Sequence, residues 1–367
     1  MLGRLADADG TADAAVGTPG ATVRATDGAV TRGPDRPRLA DLGEVPSPYR
    51  DGPLGAAPAG AWPIASLETN RGCPYGCTFC DWGQDTMSRI RKFPMERVLA
   101  DIEEIGRLEI PFVFVTDANF GIMRRDVEIA EALADVHDRT GWPRIVNATF
   151  TKNTNKYVIE IVRTWVAAGI QTEGVLSLQT EDAETLHIIG RDNIKTSRFD
   201  ELLGEFQRQG LPVTTELIMG LPGSTLETFG RDLRRSWDRG VLARVYPAYL
   251  LPNSPMNEPA YRAAHGIETA ADGLTVQRTT SFSRDDWHEM RQLAFWWQAL
   301  VNLGLLRQTL RFLEADHALD VVDVIHEIER AAGEEPARFP LLAFCGRFID
   351  RFTVPPGGWP PLYDELR

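Results

Sequence analysis

Residues Glu68 to Trp82 read ETNRGCPYGCTFCDW, and three of the chain's four cysteines stand within them: Cys73, Cys77 and Cys80, spaced C-x3-C-x2-C. Thiolates are soft ligands suited to zinc or to iron–sulfur clusters, and each must reach one shared centre. A structural zinc site takes four protein ligands, and no fourth cysteine or histidine stands nearby in the sequence. A disulfide framework needs paired cysteines, whereas these three form an odd group with Cys345 far off. Three thiolates around a four-iron cluster leave one iron without a protein ligand, open to a substrate or cofactor. At this cysteine frequency the spacing arises by chance on the order of once in a couple of thousand chains of this length.

The stretch resembles the signature of radical S-adenosylmethionine (SAM) enzymes, and Phe79, the aromatic residue before the third cysteine, fits the same pattern. The wording RGCPYGCTFCDWG is most similar to the subgroup whose members usually carry a cobalamin-binding domain. The resemblance implies a [4Fe–4S] cluster on Cys73, Cys77 and Cys80. Its open iron would chelate the amino and carboxylate groups of SAM. One electron from a donor such as flavodoxin or ferredoxin would then cleave SAM to methionine and a 5′-deoxyadenosyl radical.

At 367 residues the chain has room for one barrel-sized domain plus an appendage. A formal charge of −13 argues against a nucleic-acid-binding or anionic-membrane surface. No apolar run approaches the ~18 residues needed to span a bilayer, and no signal peptide is evident at the N-terminus. Few cysteines and an oxygen-sensitive cluster together point to a reducing cytoplasm.

Residues 1–38 are rich in Ala, Gly, Asp, Thr and Arg without periodic apolar pattern, which predicts disorder. Residues 39–61 have turn-forming prolines and resemble the linker that precedes the catalytic domain in cobalamin-dependent members. A doubly wound cobalamin domain would normally stand before that linker. The roughly forty residues here are too few for it, so the expectation is that this domain is missing from the polypeptide.

From Trp62 short apolar runs alternate with amphipathic helical stretches at ~30-residue spacing, the rhythm of βα units. Strands are expected at Ile64–Glu68, Phe112–Thr116, Arg144–Phe150, Gly174–Gln179, Val213–Met219 and Arg244–Leu250. Helices follow, including one opened by Pro94 with Val98, Leu99, Ile102 and Ile105 on one face. Six such units over residues 62–255 fit an α/β fold, a partial (βα)6 TIM-like barrel with all strand ends on one rim. Residues 256–367 read as a mainly helical appendage. A capping box is expected at Ser283–Asp286, and a helix over about Ala318–Ala332 with Gly333 as its stop. The tryptophan-rich stripe of this region reads as core.

Polar residues at the strand ends would face the same rim as the cysteine loop. In the TDANFG run, Asp117 and Asn119 match the place where radical SAM enzymes hold the SAM amino group; a helix cap is the plain alternative for Asp117. Lys152 and Asn153 follow the third strand, where substrate or SAM contacts are common. Ser177, Gln179 and Thr180 resemble the positions that contact the SAM ribose. Arg191 resembles the arginine that pairs with the SAM carboxylate, for which a guanidinium fork is well suited; a surface ion pair is the competing reading. Gly220 and Gly223 in ELIMGLPGST allow backbone to approach a ligand closely, and Tyr249 could line the adenine pocket. Trp82 would cover the cluster and exclude solvent.

The resulting expectation is a radical SAM enzyme acting on an unactivated carbon of a small-molecule or natural-product substrate. The subgroup resemblance favours methyl transfer, with cobalamin as carrier supplied by a separate binding protein or held against the barrel. A cobalamin-independent epimerase or dehydrogenase, or a non-catalytic iron–sulfur accessory or electron-transfer protein using Cys345 as fourth ligand, are the alternatives.

Overall fold

The computed structural model describes residues 12–35, 39, 41–52, 54–83, 88–151, 156–192 and 195–351. The chain divides into two compact units, Met1–Pro46 and Ser47–Arg367. In the first, β1 (Thr22–Arg24) and β2 (Val30–Arg32) pair antiparallel where the composition predicts no order. Local turn chemistry explains the hairpin better than any apolar core. Gly28 takes φ +87° in the turn, and Asp13 accepts from both the amide and the hydroxyl of Thr26.

The second unit opens with β3 (Ile64–Leu67) and the short antiparallel pair β4 (Asn70–Arg71) and β5 (Arg91–Lys92), then α1 (Met95–Arg107). β6 (Phe112–Phe120), α2 (Arg125–Thr140), β7 (Ile145–Phe150) and α3 (Lys156–Ala167) follow. Next come β8 (Gly174–Gln179), α4 (Ala183–Ile188), α5 (Thr196–Arg208), β9 (Val213–Met219), α6 (Leu226–Asp238) and β10 (Leu242–Pro247). β3, β6 and β7 form one parallel sheet, and β8, β9 and β10 another. A parallel bridge between Ile145 and Gln171 joins β7 to the residues leading into β8. Strands pair in sequence order with intervening helices, as right-handed βα crossovers require.

Along β6, Val113, Val115 and Asp117 are buried while Phe112, Phe114 and Thr116 between them are half-buried. This period of two is that of a strand with one face packed under helices. α1 buries Val98, Ile102 and Ile105 as the spacing predicts. Leu99 does not join them and stays 38% exposed, because its position falls at the edge of the apolar stripe. Pro94 takes the N-cap position, one residue earlier than the first-turn place expected for it.

β6 continues past Thr116 to Phe120, so Asp117 and Asn119 belong to the strand and not to a loop. β10 ends at Pro247, short of the Leu250 expected, since proline has no N–H to extend the ladder. Tyr249 lies beyond it in an isolated antiparallel bridge to Thr275.

The C-terminal region contains α7 (Pro259–His265), a small pair β11 (Glu268–Thr269) and β12 (Val276–Arg278), and α8 (Arg284–Trp297). Ser283 and Asp286 form the expected capping box at the start of α8. α9 (Arg307–His317), α10 (Val321–Glu334) and α11 (Pro340–Arg351) complete the chain's described elements. Gly333 lies inside α10 and does not stop it; the N-terminal end is the defined one, where Asp320 accepts from the Val322 amide at 2.8 Å. Trp287, Trp296 and Trp297 are buried in one core with Leu233 and Trp237 of α6. The tryptophan stripe thus packs inside the protein.

Candidate active site

The cysteine loop leaves β3 through Glu68, Thr69 and Asn70. Arg71 pairs with both carboxylate oxygens of Glu68 at 2.8 Å. Thr69 and Asn70 are seized by Asp117 of β6. One carboxylate oxygen accepts from the amides of Thr69 (2.7 Å) and Asn70 (3.1 Å), and the other from the Thr69 hydroxyl and the Asn70 amide group. Asp117 is fully buried, and burial pushes its pKa up to about 7 against the pull of those bonds. Its oxygens are thus taken up by the loop. The expectation that Asp117 receives the SAM amino group does not match this placement, because four donors from Thr69 and Asn70 already surround the carboxylate.

Asn119, two residues further along the same strand, is the side chain that meets the cysteines. Its amide nitrogen donates to Cys73 Sγ at 3.1 Å. Its Oδ1 is buried and has no hydrogen-bond partner among the described residues. A buried unpaired acceptor is costly by about 1–3 kcal/mol and marks a place for a donor that the described residues do not supply.

Arg191 marks the other side. It is only 4% exposed; Nη1 lies 3.9 Å from Cys77 Sγ and Nη2 donates to the Ser177 carbonyl. Burial lowers its pKa, while Cys77, Cys80 and Cys73 all act in the opposite direction. Arg191 is thus a buried guanidinium set against Cys77, and the surface ion-pair reading of Arg191 is excluded. Among the described residues no group of three or more His, Cys, Asp or Glu side chains is gathered as a site for a metal ion. A four-iron cluster spreads its thiolates over three separate irons, wider than ligands around one ion. Three thiols, an adjacent amide donor and a buried acceptor fit such a cluster with one open iron.

The remaining expected residues fall around this centre in different ways. Ser177 gives its carbonyl to Arg191 and its hydroxyl to Glu216 of β9 at 2.6 Å. Gln179 closes β8 at a register shift with φ +68°, a left-handed backbone that costs on the order of 1 kcal/mol for a non-glycine residue. Thr180 donates its hydroxyl proton to Asp232 of α6 at 2.6 Å. Gly220, at φ +81°, lies against Phe282 and Trp287, where an added Cβ would stand 3.4 Å from the indole. Phe79 is partly buried against the C-terminal core. Tyr249 is 47% exposed, and Trp82 is likewise exposed, its amide donating to Cys80 Sγ at 3.5 Å. Lys152 and Asn153 lie outside the described residues. A cavity of about 610 Å³ adjoins Arg191 and is also lined by His187, Gly190 and Phe199.

Sequence reasoning missed Thr69, Asn70 and Glu216. Thr69 and Asn70 directly precede the cysteine motif in the TN pair, which was the available signal. Glu216 opens the ELIMG run and could have been marked by its charge inside an apolar strand.

The Radical SAM superfamily model matches residues 67–235. The cobalamin-dependent radical SAM methyltransferase TokK of Streptomyces tokunonensis is 37% identical over 324 residues, 82% of this chain and 47% of that protein. The 2-(S-pantetheinyl)-carbapenam-3-carboxylate methyltransferase of Streptantibioticus cattleyicolor is 35% identical, covering 87% of this chain and 50% of its own length. The chain thus spans about half the length of these curated relatives. Among solved structures, the methyltransferase TsrM of Kitasatospora setae with cobalamin and a [4Fe–4S] cluster bound superposes with a TM-score of 0.53 at 17% identity, over 74% of this chain and 55% of that one.

Proposed function

On the premise that residues 67–235 are a radical SAM domain, we propose that this chain uses a [4Fe–4S] cluster and SAM to functionalise an unactivated carbon of a small-molecule natural product, with methyl transfer as the outcome. The observation that carries the reading is the flanking of the cysteine motif by two buried side chains, Arg191 at Cys77 and Asn119 at Cys73, the latter with its Oδ1 unpaired among the described residues. The methyl transfer is supported by the two relatives, one named a cobalamin-dependent radical SAM methyltransferase and the other a carbapenam-carboxylate methyltransferase. The strand order supports a partial (βα)6 barrel with a helical appendage as the scaffold.

The three cysteines would hold the cluster. When bound, it supplies the electron that cleaves SAM to methionine and a 5′-deoxyadenosyl radical. Asn119 Oδ1 would accept from the SAM amino group, and Asn119 Nδ2 already tempers the charge on Cys73 Sγ. Arg191 would pair with the SAM carboxylate, its head fixed by the Ser177 carbonyl. Asp117 positions the entry of the loop, and Ser177 with Glu216 would face the ribose hydroxyls. Trp82 would shield the cluster edge from solvent. No donor set for cobalamin can be named among the described residues, and no step is routed through it; a cobalamin-binding domain or protein and a flavodoxin- or ferredoxin-like donor are partners this reading requires. Among the described residues no helix is long and apolar enough to cross a membrane, and a reducing cytoplasm suits the cluster.

Anaerobic reconstitution followed by reduction with SAM tests the proposal. 5′-Deoxyadenosine should form, and S-adenosylhomocysteine should appear once cobalamin and substrate are added. Absence of both products with a competent reductant would refute it.

A further inference from the structure

Thr78 stands between Cys77 and Cys80, and each of its polar groups is held by a distant part of the chain. Its amide donates to the Ile189 carbonyl at 2.9 Å, and its carbonyl accepts from the Met256 amide at 2.8 Å. Its hydroxyl lies 3.2 Å from the hydroxyl of Tyr261 in α7. Tyr261 donates its own proton to the Ile188 carbonyl at 3.0 Å, so toward Thr78 it is the acceptor. Its ring is half-buried, packed at 4.4 Å from His265 and against the C-terminal core. One phenol therefore bridges the middle of the cysteine loop and the turn that leads, three residues later, to Arg191.

We propose that Tyr261 is a positioning residue: its hydroxyl fixes the separation between the cysteine loop and the Ile188–Arg191 segment, and so between the cluster's open iron and the guanidinium that receives the SAM carboxylate. This rests on the cluster reading above. The cysteine loop follows β4 and the Ile188–Arg191 segment follows the end of α4, and the Thr78–Ile189 backbone bond between them acts as a pivot. A second tie through Tyr261 turns the pivot into a fixed edge. Removing the hydroxyl deletes one bond on each side and lets the cysteine loop and the Arg191 segment shift relative to each other.

The test compares wild type, Tyr261→Phe, Thr78→Val and Thr78→Ser, each reconstituted anaerobically with iron and sulfide. SAM binding is followed by the change it makes in the electron paramagnetic resonance spectrum of the reduced cluster. Tyr261→Phe and Thr78→Val should load iron as fully as wild type, yet bind SAM about tenfold more weakly. Thr78→Ser, which keeps the hydroxyl, should bind as wild type does. Wild-type SAM affinity in both Tyr261→Phe and Thr78→Val overturns the inference. If Tyr261→Phe fails to fold, Thr78→Val against Thr78→Ser decides the matter alone. Failure of the wild type itself to take up a cluster overturns the functional reading and this inference together, and is recognised because no variant is involved.

Discussion

The side-chain amide of Asn119 spans two roles at once, donating to Cys73 Sγ at 3.1 Å while its Oδ1 stays buried and unpaired among the described residues. Hydrogen bonds to cluster sulfurs stabilise the reduced, more negative state. Asn119→Ala should therefore lower the cluster's midpoint potential. It should also weaken SAM binding up to about tenfold, since a bond to the iron-bound SAM amine is worth about 0.5–1.5 kcal/mol. A redox titration and a spectroscopic SAM titration check the two effects separately. Unchanged values in both would remove Asn119 from the site.

Asp117 predicts a different failure. Its carboxylate gathers four donors from Thr69 and Asn70 at the mouth of the cysteine loop. Asp117→Ala leaves those donors buried without a partner, at about 1–3 kcal/mol each for the ones water cannot reach. The loss should appear as poor iron uptake and a lowered melting temperature. A variant with full iron content and selectively weak SAM binding would instead restore Asp117 as a SAM contact.

These two residues show where reading the sequence reached and where it stopped. The parallel strands announced themselves because FVFVT and VTTELIM are apolar enough to be buried under helices, and strand boundaries there fell within a few residues of those observed. The cysteine motif was legible because its ligands are local. Asp117 and Asn119 lie two apart on one strand and share a face, so spacing could not tell which would meet the thiols. The answer depends on Thr69 and Asn70, 48 and 47 residues away from Asp117. Tyr261 is 183 residues from Thr78, and nothing in its own neighbourhood betrays the contact. The helix C-terminus placed at Gly333 failed for a plainer reason: glycine weakens a helix without having to end one.

Cys345 offers a direct check on the ligand set. It lies on α11, half-buried against the C-terminal core, and burial raises its pKa. A thiol that stays protonated makes a poor cluster ligand. Cys345→Ala should keep the full cluster and its SAM response, whereas Cys77→Ala should abolish both. Loss of the cluster in Cys345→Ala would favour an all-protein-ligated electron-transfer centre.

Asp232 couples stability to pH away from the cluster. It accepts from the Thr180 hydroxyl at 2.6 Å and the Glu181 amide at 3.0 Å, and burial, the larger influence, pushes its pKa up to about 6. The folded state therefore holds this proton more tightly than the unfolded chain, whose carboxyl titrates near its ordinary value of about 4. The stabilisation is complete below about pH 4 and is lost as pH rises through about 6. Asp232→Asn stays neutral throughout. Relative to that variant, cluster-free wild type should lose about 3 kcal/mol of stability between pH 4 and pH 8, measured by urea unfolding at several pH values. A constant difference across that range would contradict the shift.

Gly223 tests whether the turn after β9 is chosen for its backbone alone or for what it lets approach. Its φ is +93°, and an added Cβ would stand 2.7 Å from Ile188 Cδ1 and 3.1 Å from the Thr185 Cα. Gly210 has φ +64° with nothing within 4 Å of the same atom. Alanine at Gly210 therefore meets backbone strain only, about 1 kcal/mol. Alanine at Gly223 meets that strain plus a clash with the Ile188 side-chain tip and a tight approach to the Thr185 backbone, and should cost about 2–4 kcal/mol in total. The clash also presses on the segment that carries Ile188 toward Arg191, so Gly223→Ala should weaken SAM binding while Gly210→Ala should not. Thermal melts and SAM titrations of the two variants side by side separate the contributions. Equal destabilisation with equal SAM affinity would mean that the close approach of the β9 turn to α4 has no part in shaping the site.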